Sequence, residues 1–406
     1  MNRQPFARPL AFVLCAGLAL CAAPVVRAQT TDSEPRVTAE TGASFRQWTV
    51  TDSASNEAKI SQLYVPFSAT IPVGATFDLV AYGAYASTKL DLGEAGAGTL
   101  KGVTDFRLKG FWRPTNRFFL GAGVNLPIGK HLLKQGPVEG RPRGLSPKHD
   151  GVEHPVLHEV EVAQSMWSPI FGFRAKRMGE GLDIDLSAGA AFPLSPTATL
   201  GFGAGYILKG EYDFIETEDA TRRFKPGAEA SASIGLDIRP NEATLIRLDV
   251  AGRTFTEDTQ SDRKVFQASS QLELDGLVAH QGGGWNWQLH ARQVAKGDDT
   301  FIEENGDNGV LETPHTAVSS FWASAELFRD LKESLSIGAS VEFGSFGKSD
   351  LTISDGHSLS YGPALRFGRR GGSGATLRVA GLTGSAENGD IDLSGFDVSG
   401  VVSLAF

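Results

Sequence analysis

The sequence predicts an all-β protein, a transmembrane antiparallel barrel of about 16 strands (range 14–18). Three observations predict it. Segment after segment alternates apolar and polar residues with period two over 9 to 14 residues. Tight turns alternate with long polar connections along the chain. The last segment is itself amphipathic and ends on an aromatic residue, Phe406.

Composition sets the bounds. The chain has 406 residues, of which 41% are apolar and 21% charged, and 48 are Gly, against about 7% in ordinary usage. No internal run approaches the roughly 20 apolar residues of a membrane helix. Both cysteines, Cys15 and Cys21, lie near the N-terminus, so the remainder holds no disulfide, Cys-ligated metal or Cys nucleophile.

The first 28 residues read as an export signal. Arg3 and Arg8 form a basic start, Leu10 to Ala23 an apolar core, and Val26-Arg27-Ala28 a cleavage site after Ala28. Leu20 precedes Cys21 where a lipidation site wants a small residue, so lipidation is not expected. The barrel is assigned to residues 29–406. Losing three Arg and no acid takes the formal charge from −9 to −12, which argues against a nucleic-acid partner.

The alternation is explicit in the residues. Phe118, Leu120, Ala122, Val124, Leu126 and Ile128 share one face, opposite Gly121, Gly123 and Asn125. Leu182, Ile184, Leu186, Ala188 and Ala190 oppose Asp183, Asp185 and Ser187. Trp285, Trp287, Leu289 and Ala291 oppose Asn286, Gln288, His290 and Arg292. A soluble sandwich would bury such an apolar face, whereas a membrane barrel turns it to lipid and the polar face to the lumen. Strands near ten residues suit a tilted bilayer crossing; soluble strands cluster near five or six. Sixteen segments carry the pattern, from 36–50 to 392–406, and the weakest include 182–208, which holds Pro193 and Pro196. Another segment is assigned to 158–176.

Residues 113–116, 239–242, 329–332 and 368–371 form tight turns, while 130–158, 209–225, 296–316 and 347–356 are long connections. Outer-membrane barrels have short periplasmic turns and long outer loops, so the chain is expected in the bacterial outer membrane of a Gram-negative cell, with outer-membrane lipid and lipopolysaccharide around it. Phe396, Val398, Val402, Leu404 and Phe406 alternate in the last strand. This ending resembles the signal read by the bacterial outer-membrane barrel-assembly machinery, and Phe406 is its terminal residue.

Residues 102–129 read GVTDFRLKGFWRPTNRFFLGAGVNLPIG. The segment resembles paired strands of outer-membrane transporters of the phenol-degradation (MetA-pathway) type, and more distantly those of long-chain fatty-acid transporters. The resemblance covers under a tenth of the chain and implies passage of small, often hydrophobic, compounds. The N-terminal plug motif of the fatty-acid transporters is absent, so their gating is not carried over.

The inward positions carry charges of both signs. The basic ones are Arg107, Lys109, Arg174, Arg239, Arg247, Arg253, Arg292, Arg366 and Arg378; the acidic ones are Asp105, Asp183, Asp185, Glu229, Asp237, Asp249 and Glu342; His290 joins them. One reading is a hydrated channel for passive diffusion of small solutes, with these side chains lining the pore. The other is a set of cross-strand pairs bracing a closed lumen, as in a surface or assembly scaffold. Inward glycines such as Gly121, Gly123, Gly201, Gly203 and Gly205 leave room.

The longest loop follows the fifth strand and is basic in its first half, with Lys130, Lys134, Arg141, Arg143 and Lys148. Its place resembles that of the constriction loop of general porins, but the acidic motif of that loop is absent, so a plain surface loop is expected. His149, His154 and His158 lie there with Asp150 and Glu153, and Gly297 to Gly309 holds five acids. Three imidazoles this close could bind zinc, but outer loops are often simply polar; the acids could bind calcium, but their spacing is not that of an EF-hand loop, so no metal or cofactor is expected. No Ser motif marks a nucleophile, so no enzymatic activity is expected; a barrel hydrolase would place His290 or His357 beside a Ser or Asp at the rim. Trp112, Trp167, Trp285 and Trp287 fall on lipid faces, as in an interfacial girdle. Trp322 shares its face with Ser320, Ser324 and Glu326, which makes it either a lumen aromatic or a sign of a one-residue slip.

Overall fold

A computed structural model describes residues 37–93, 96–130, 132–134, 148–149, 152–153, 159–167, 179, 181–216, 221–304, 310–347, 355–368 and 373–406. The expected signal peptide over 1–28 lies outside these residues.

Sixteen strands form one closed antiparallel barrel. They are β1 (Thr38–Asp52), β2 (Glu57–Val73), β3 (Phe77–Asp91), β4 in two pieces (Ala97–Val103 and Phe106–Trp112), β5 (Phe118–Leu126), β6 (Asp183–Ser195), β7 (Ala198–Leu208) and β8 (Glu229–Asn241). The second half holds β9 (Thr244–Phe255), β10 (Gln271–Gly282), β11 (Trp285–Lys296), β12 (Ser320–Lys332), β13 (Leu335–Phe346), β14 (Gly356–Gly368), β15 (Gly374–Ala386) and β16 (Ile391–Ala405). Closure runs along the full length of the terminal strands, from Thr38 opposite Ala405 to Asp52 opposite Ile391. Phe406 N–H adds a bond to Val37 O at 2.9 Å. Each strand pairs with the next, so no backbone edge is left within the wall, as lipid requires.

The pattern puts large apolar side chains outside. Phe67, Leu120, Leu186, Phe202, Leu248, Leu289, Leu327, Leu377 and Val398 are all exposed, while the alternating residues Asp185, Arg253, Arg292 and Asp397 are buried. This inversion of a soluble protein's burial is that of a barrel in the outer membrane. No helix among the described residues is long and apolar enough to cross a membrane.

The connections sort by end. Short turns lie at 74–76, 113–117, 196–197, 242–243, 283–284 and 333–334, on the end that also holds residues 37 and 406. The long connections at 127–182, 209–228, 256–270 and 297–319 lie at the other end. There a second sheet extends the wall, with Val310–Thr316, Asp298–Glu304, Arg263–Gln267, Asp258–Gln260, Thr221–Lys225, Tyr212–Glu216 and Leu133–Lys134 in that order.

Two segment assignments are corrected, and their errors cancel in the strand count. Residues 158–176 are not a strand: Glu159–Trp167 is a helix, α1, and the rest lies outside the described residues. Residues 182–208 are two strands, since Pro196 lies in the tight turn and Pro193 falls where the ladder shifts register. Proline has no N–H to donate, so the chain turns there instead of continuing.

The outer sheet meets the barrel through a buried and a half-buried carboxylate. Asp258 Oδ1 accepts from Gly227 N–H at 2.6 Å and Asp299 Oδ1 from Ser269 N–H at 2.8 Å. Burial pushes the Asp258 carboxyl up to about 6, with Asp299 adding to the rise and the Gly227 N–H and Lys209 opposing it. A carboxyl raised above its unfolded value favours folding most fully below about pH 4, and that contribution fades as pH rises through about 6. We therefore expect amide protection in 221–225 and 258–267, corrected for intrinsic exchange, to fall between pH 4.5 and 7.5. Asp258→Asn should remove that fall, and protection independent of pH in the unmutated protein would refute it.

Candidate functional site

The interior of the barrel is the candidate site, and it has two unlike walls. Toward the outer end, the inward residues of β1–β4, β13, β15 and β16 are mostly apolar: Trp48, Ile60, Ala86, Leu90, Leu100, Phe346, Leu382, Ile391 and Leu393, with Gln62 and Thr88 buried among them. Helix α1 packs onto this wall. Val162, Ala163 and Met166 lie on one helical face and are fully buried in that cluster. Burying Val162 and Met166 stabilises the docked helix by about 1.5–3 kcal/mol each. Gln62, on the inward face of β2, donates its Nε2 to Ser165 O at 3.4 Å. The loop expected over 130–158 lies mostly outside the described residues; the element packed on this wall is α1, from the segment expected to be a strand. An apolar wall inside a barrel must be covered from water, and α1 covers it.

The opposite wall is polar and built of small residues. Gly201, Gly203 and Gly205 on β7 face Gly235, Ser233 and Ser231 on β8. No large side chain projects from these six positions.

The predicted inward residues stand as follows. Lys109 on β4 reaches Asp185 on β6 at 2.9 Å, and Arg107 reaches the same carboxylate at 3.8 Å. Both pass over β5, where a Cβ on Gly123 would stand 3.1 Å from Lys109 Cγ. Gly123 is therefore glycine because a charge pair crosses above it. Asp183 Oδ1 accepts from Gly210 N–H at 3.1 Å. Near the outer end, Arg253 lies 3.7 Å from Glu229 and 3.3 Å from Glu273, which Arg292 approaches at 2.8 Å. Lower on the wall, Arg247 grips Asp237 through Nε and Nη2 at 2.7 and 2.9 Å. Arg378 pairs with Glu326 from three strands away, and Arg366 lies 3.9 Å from Glu326 and 4.0 Å from the Phe328 ring. Among the described residues no ion pair closes on Arg239, Asp249 or Glu342. Asp249 lies over Gly235 and opposite Asp275, and Arg239 sits at the turn end of β8. Arg174 lies outside the described residues.

Several partners escaped the sequence reading: Arg46 with Asp397 (3.0 Å), and the carboxylates Glu273, Asp275 and Glu326. Each sits at an inward position of its strand. Pairing the strands in register, instead of reading each alone, would have found them.

His290 Nε2 lies 2.8 Å from Asp275 Oδ2 in mid-strand, away from the rim. Ser324 is its register partner on β12, yet no Ser hydroxyl among the described residues bonds to it. His357 faces outward and stacks on Phe343. Among the described residues no group of three or more His, Cys, Asp or Glu side chains could hold a metal ion. The cluster at 149–158 lies mostly outside them. Trp112 and Trp285 are exposed at the short-turn end, and Arg329 lies 4.9 Å from the Trp285 ring. Trp322 faces inward, over Gly344, so the register is not slipped. Trp167 belongs to α1, not to a lipid-facing strand.

No family model matches the sequence, and no curated protein matches it. Among solved structures, the chain is similar to the toluene transporter TodX of P. putida, at 12% identity and a TM-score of 0.41, over 92% of this chain and 90% of that one. It is similar to OccK7 (OpdD) of Pseudomonas aeruginosa, at 10% identity and a TM-score of 0.39, over 91% and 100% of the two chains. It is also similar to CdiB from Acinetobacter baumannii, at 10% identity and a TM-score of 0.44, over 90% of this chain and 60% of that one.

Proposed function

We propose that the barrel is a channel for passive diffusion of small polar solutes across the outer membrane, along the polar wall that α1 leaves uncovered. The observation that carries this reading is the contrast between the two walls. Helix α1 fills the interior against the apolar side, while β6–β9 opposite present Gly, Ser and paired charges. Sixteen strands enclose enough space for side chains, a docked helix and a water path together. In this reading Arg107, Lys109, Asp185, Glu229, Asp237, Arg247, Asp249, Arg253, His290, Arg292, Glu342, Arg366 and Arg378 line the pore, and their pairing makes the path nearly balanced in charge. Asp183 and Arg239 stand at its two ends. The exposed terminal Phe406 is proposed as the residue that the barrel-assembly machinery reads, and lipid and lipopolysaccharide as the surroundings of the apolar belt.

A second reading has its own support. The helix inside the outer end and the many closed ion pairs also suit a non-conducting scaffold. The resemblance to transporters of the phenol-degradation type points instead to hydrophobic solutes, for which the apolar wall beneath α1 is the only comparable interior surface among the described residues. Hydrolysis is not proposed, because among the described residues no Ser hydroxyl bonds to His290.

The folded protein in planar bilayers should show stepwise conductance of stable size, and liposomes carrying it should swell in small sugars and amino acids. Silence in both from protein shown to be folded and inserted would overturn the channel in favour of the scaffold.

The charge pairs make a sharper expectation. Glu326→Gln leaves Arg366 and Arg378 without their carboxylate, so reversal potentials in a salt gradient should move toward anion selectivity. Because these side chains are partly solvated, the cost in stability should stay below about 1 kcal/mol. A conducting Glu326→Gln variant with unchanged selectivity would place these residues outside the solute path.

A further inference from the structure

We infer that Asp105 is a positioning residue: it holds α1 against the inner wall and thereby sets the open cross-section of the pore. The inference rests on the channel reading and adds to it the residue that controls the width of the path.

The ladder between β3 and β4 has a defect. Tyr85 pairs with Val103 and Tyr82 with Arg107. Between these pairs β3 has Gly83 and Ala84, while β4 has Thr104, Asp105 and Phe106. The extra residue is a β-bulge, which re-aims side chains. Phe106 stays on the lipid face, but Thr104 and Asp105 are both buried on the inner side. Thr104 repairs the ladder by itself. Its N–H donates to Ala84 O at 2.7 Å, and its Oγ1 accepts from Ala84 N–H at 3.0 Å. The ladder therefore does not need the Asp105 carboxylate.

That carboxylate, 4% exposed, binds the backbone at both ends of the segment that contains α1. Oδ1 accepts from Gly129 N–H at 3.1 Å and from Gly179 N–H at 2.6 Å, and Oδ2 accepts from Asn125 Nδ2 at 3.2 Å. Gly179 has φ +78°, a conformation that favours glycine. The link to the helix is direct. The residue after Gly129 is Lys130, whose ammonium pairs with Glu159, the first residue of α1. Glu159 also accepts from Lys134 N–H at 3.3 Å. A charged acceptor on buried N–H groups is among the stronger hydrogen bonds, and leaving those groups unmet is costly. One carboxylate thus fixes where the segment enters and leaves the wall, and Lys130 passes that constraint to the helix.

The test is bilayer conductance together with the size cut-off of liposome swelling. Asp105→Ala should raise conductance severalfold and admit larger sugars. The chain beyond Cys21 has no cysteine, so Gln62→Cys with Ser165→Cys can be tied by a bifunctional thiosulfonate reagent whose spacer replaces the reach of the Gln62 side chain. Crosslinking that pair in the Asp105→Ala background should return conductance and cut-off to the unmutated level, and a reductant should release them. Should Asp105→Ala fail to fold, Lys130→Gln tests the same link and should raise conductance in the same direction. A folded Asp105→Ala or Lys130→Gln variant with unchanged conductance and cut-off overturns the proposal, as does a formed crosslink that restores neither. Silence of the unmutated protein and of every variant overturns the channel reading and this proposal with it. Conduction by the unmutated protein with no response to these changes overturns this proposal alone.

Discussion

The backbone hydrogen bond that lipid cannot replace governs this molecule. A peptide N–H or C=O facing hydrocarbon has no water partner, so every one inside the bilayer must be met by another strand. The ladder must then close, and β1 meets β16 over the full length of both. Closure of antiparallel neighbours requires an even number of strands and returns both barrel ends of the chain to the same side. It also forces period two on every strand. With one face in lipid and one inside, a polar side chain outside or a one-residue slip would expose the wrong set along the whole strand.

The interior inherits a packing problem from that arrangement. Inward side chains from neighbouring strands stand about 5 Å apart and cannot all be large. The chain resolves this by setting small residues beneath long ones. Gly123 lies under Lys109, Gly235 under Asp249, and Gly344 under Trp322. Lys109 and Arg107 can then cross β5 to Asp185, and Arg378 can reach Glu326 from β15 to β12. Inward glycines and inward charges are therefore one feature. Where Lys109 and Asp185 pair across β5, that strand carries glycine beneath the crossing side chain.

The same logic explains what was legible in the sequence. Outward and inward sets were readable because lipid demands them residue by residue, and they placed Arg107, Asp185, Arg253 and Arg292 on the inner face. The alternation of turn lengths was readable because only one end of the barrel carries long loops. Three things were not. The bulge at Thr104–Asp105 adds one residue to a segment whose flanks still alternate, so a reading by face passes over it. Helix α1 follows no lipid constraint; it opens on Glu159-Val160-Glu161-Val162, which alternates with the period of a strand, and the wall it covers is built from strands far away in sequence. The hairpin at 196–197 was hidden because β6 and β7 alternate in the same phase on either side of a two-residue turn. Partners such as Glu273 and Glu326 carried a signal, but only in the register between strands.

Outside the hydrocarbon the constraint lifts, and the structure marks the boundary with carboxylates. Asp105 accepts from Gly129 and Gly179, Asp183 from Gly210, Asp258 from Gly227 and Asp299 from Ser269. In each case a buried or half-buried Asp takes up a backbone N–H at the place where chain leaves the regular wall. Inside the bilayer the ladder itself satisfies those groups; a few residues further out, water does. Between the two there is neither ladder nor free water, and a short charged acceptor bridges the gap. Asp105 differs from the others because β4 continues above it, with Ala97–Val103 still paired to β3. There the same device no longer finishes a loop at the surface. It fastens a loop inside the barrel, where the position of a helix decides how much of the interior is open.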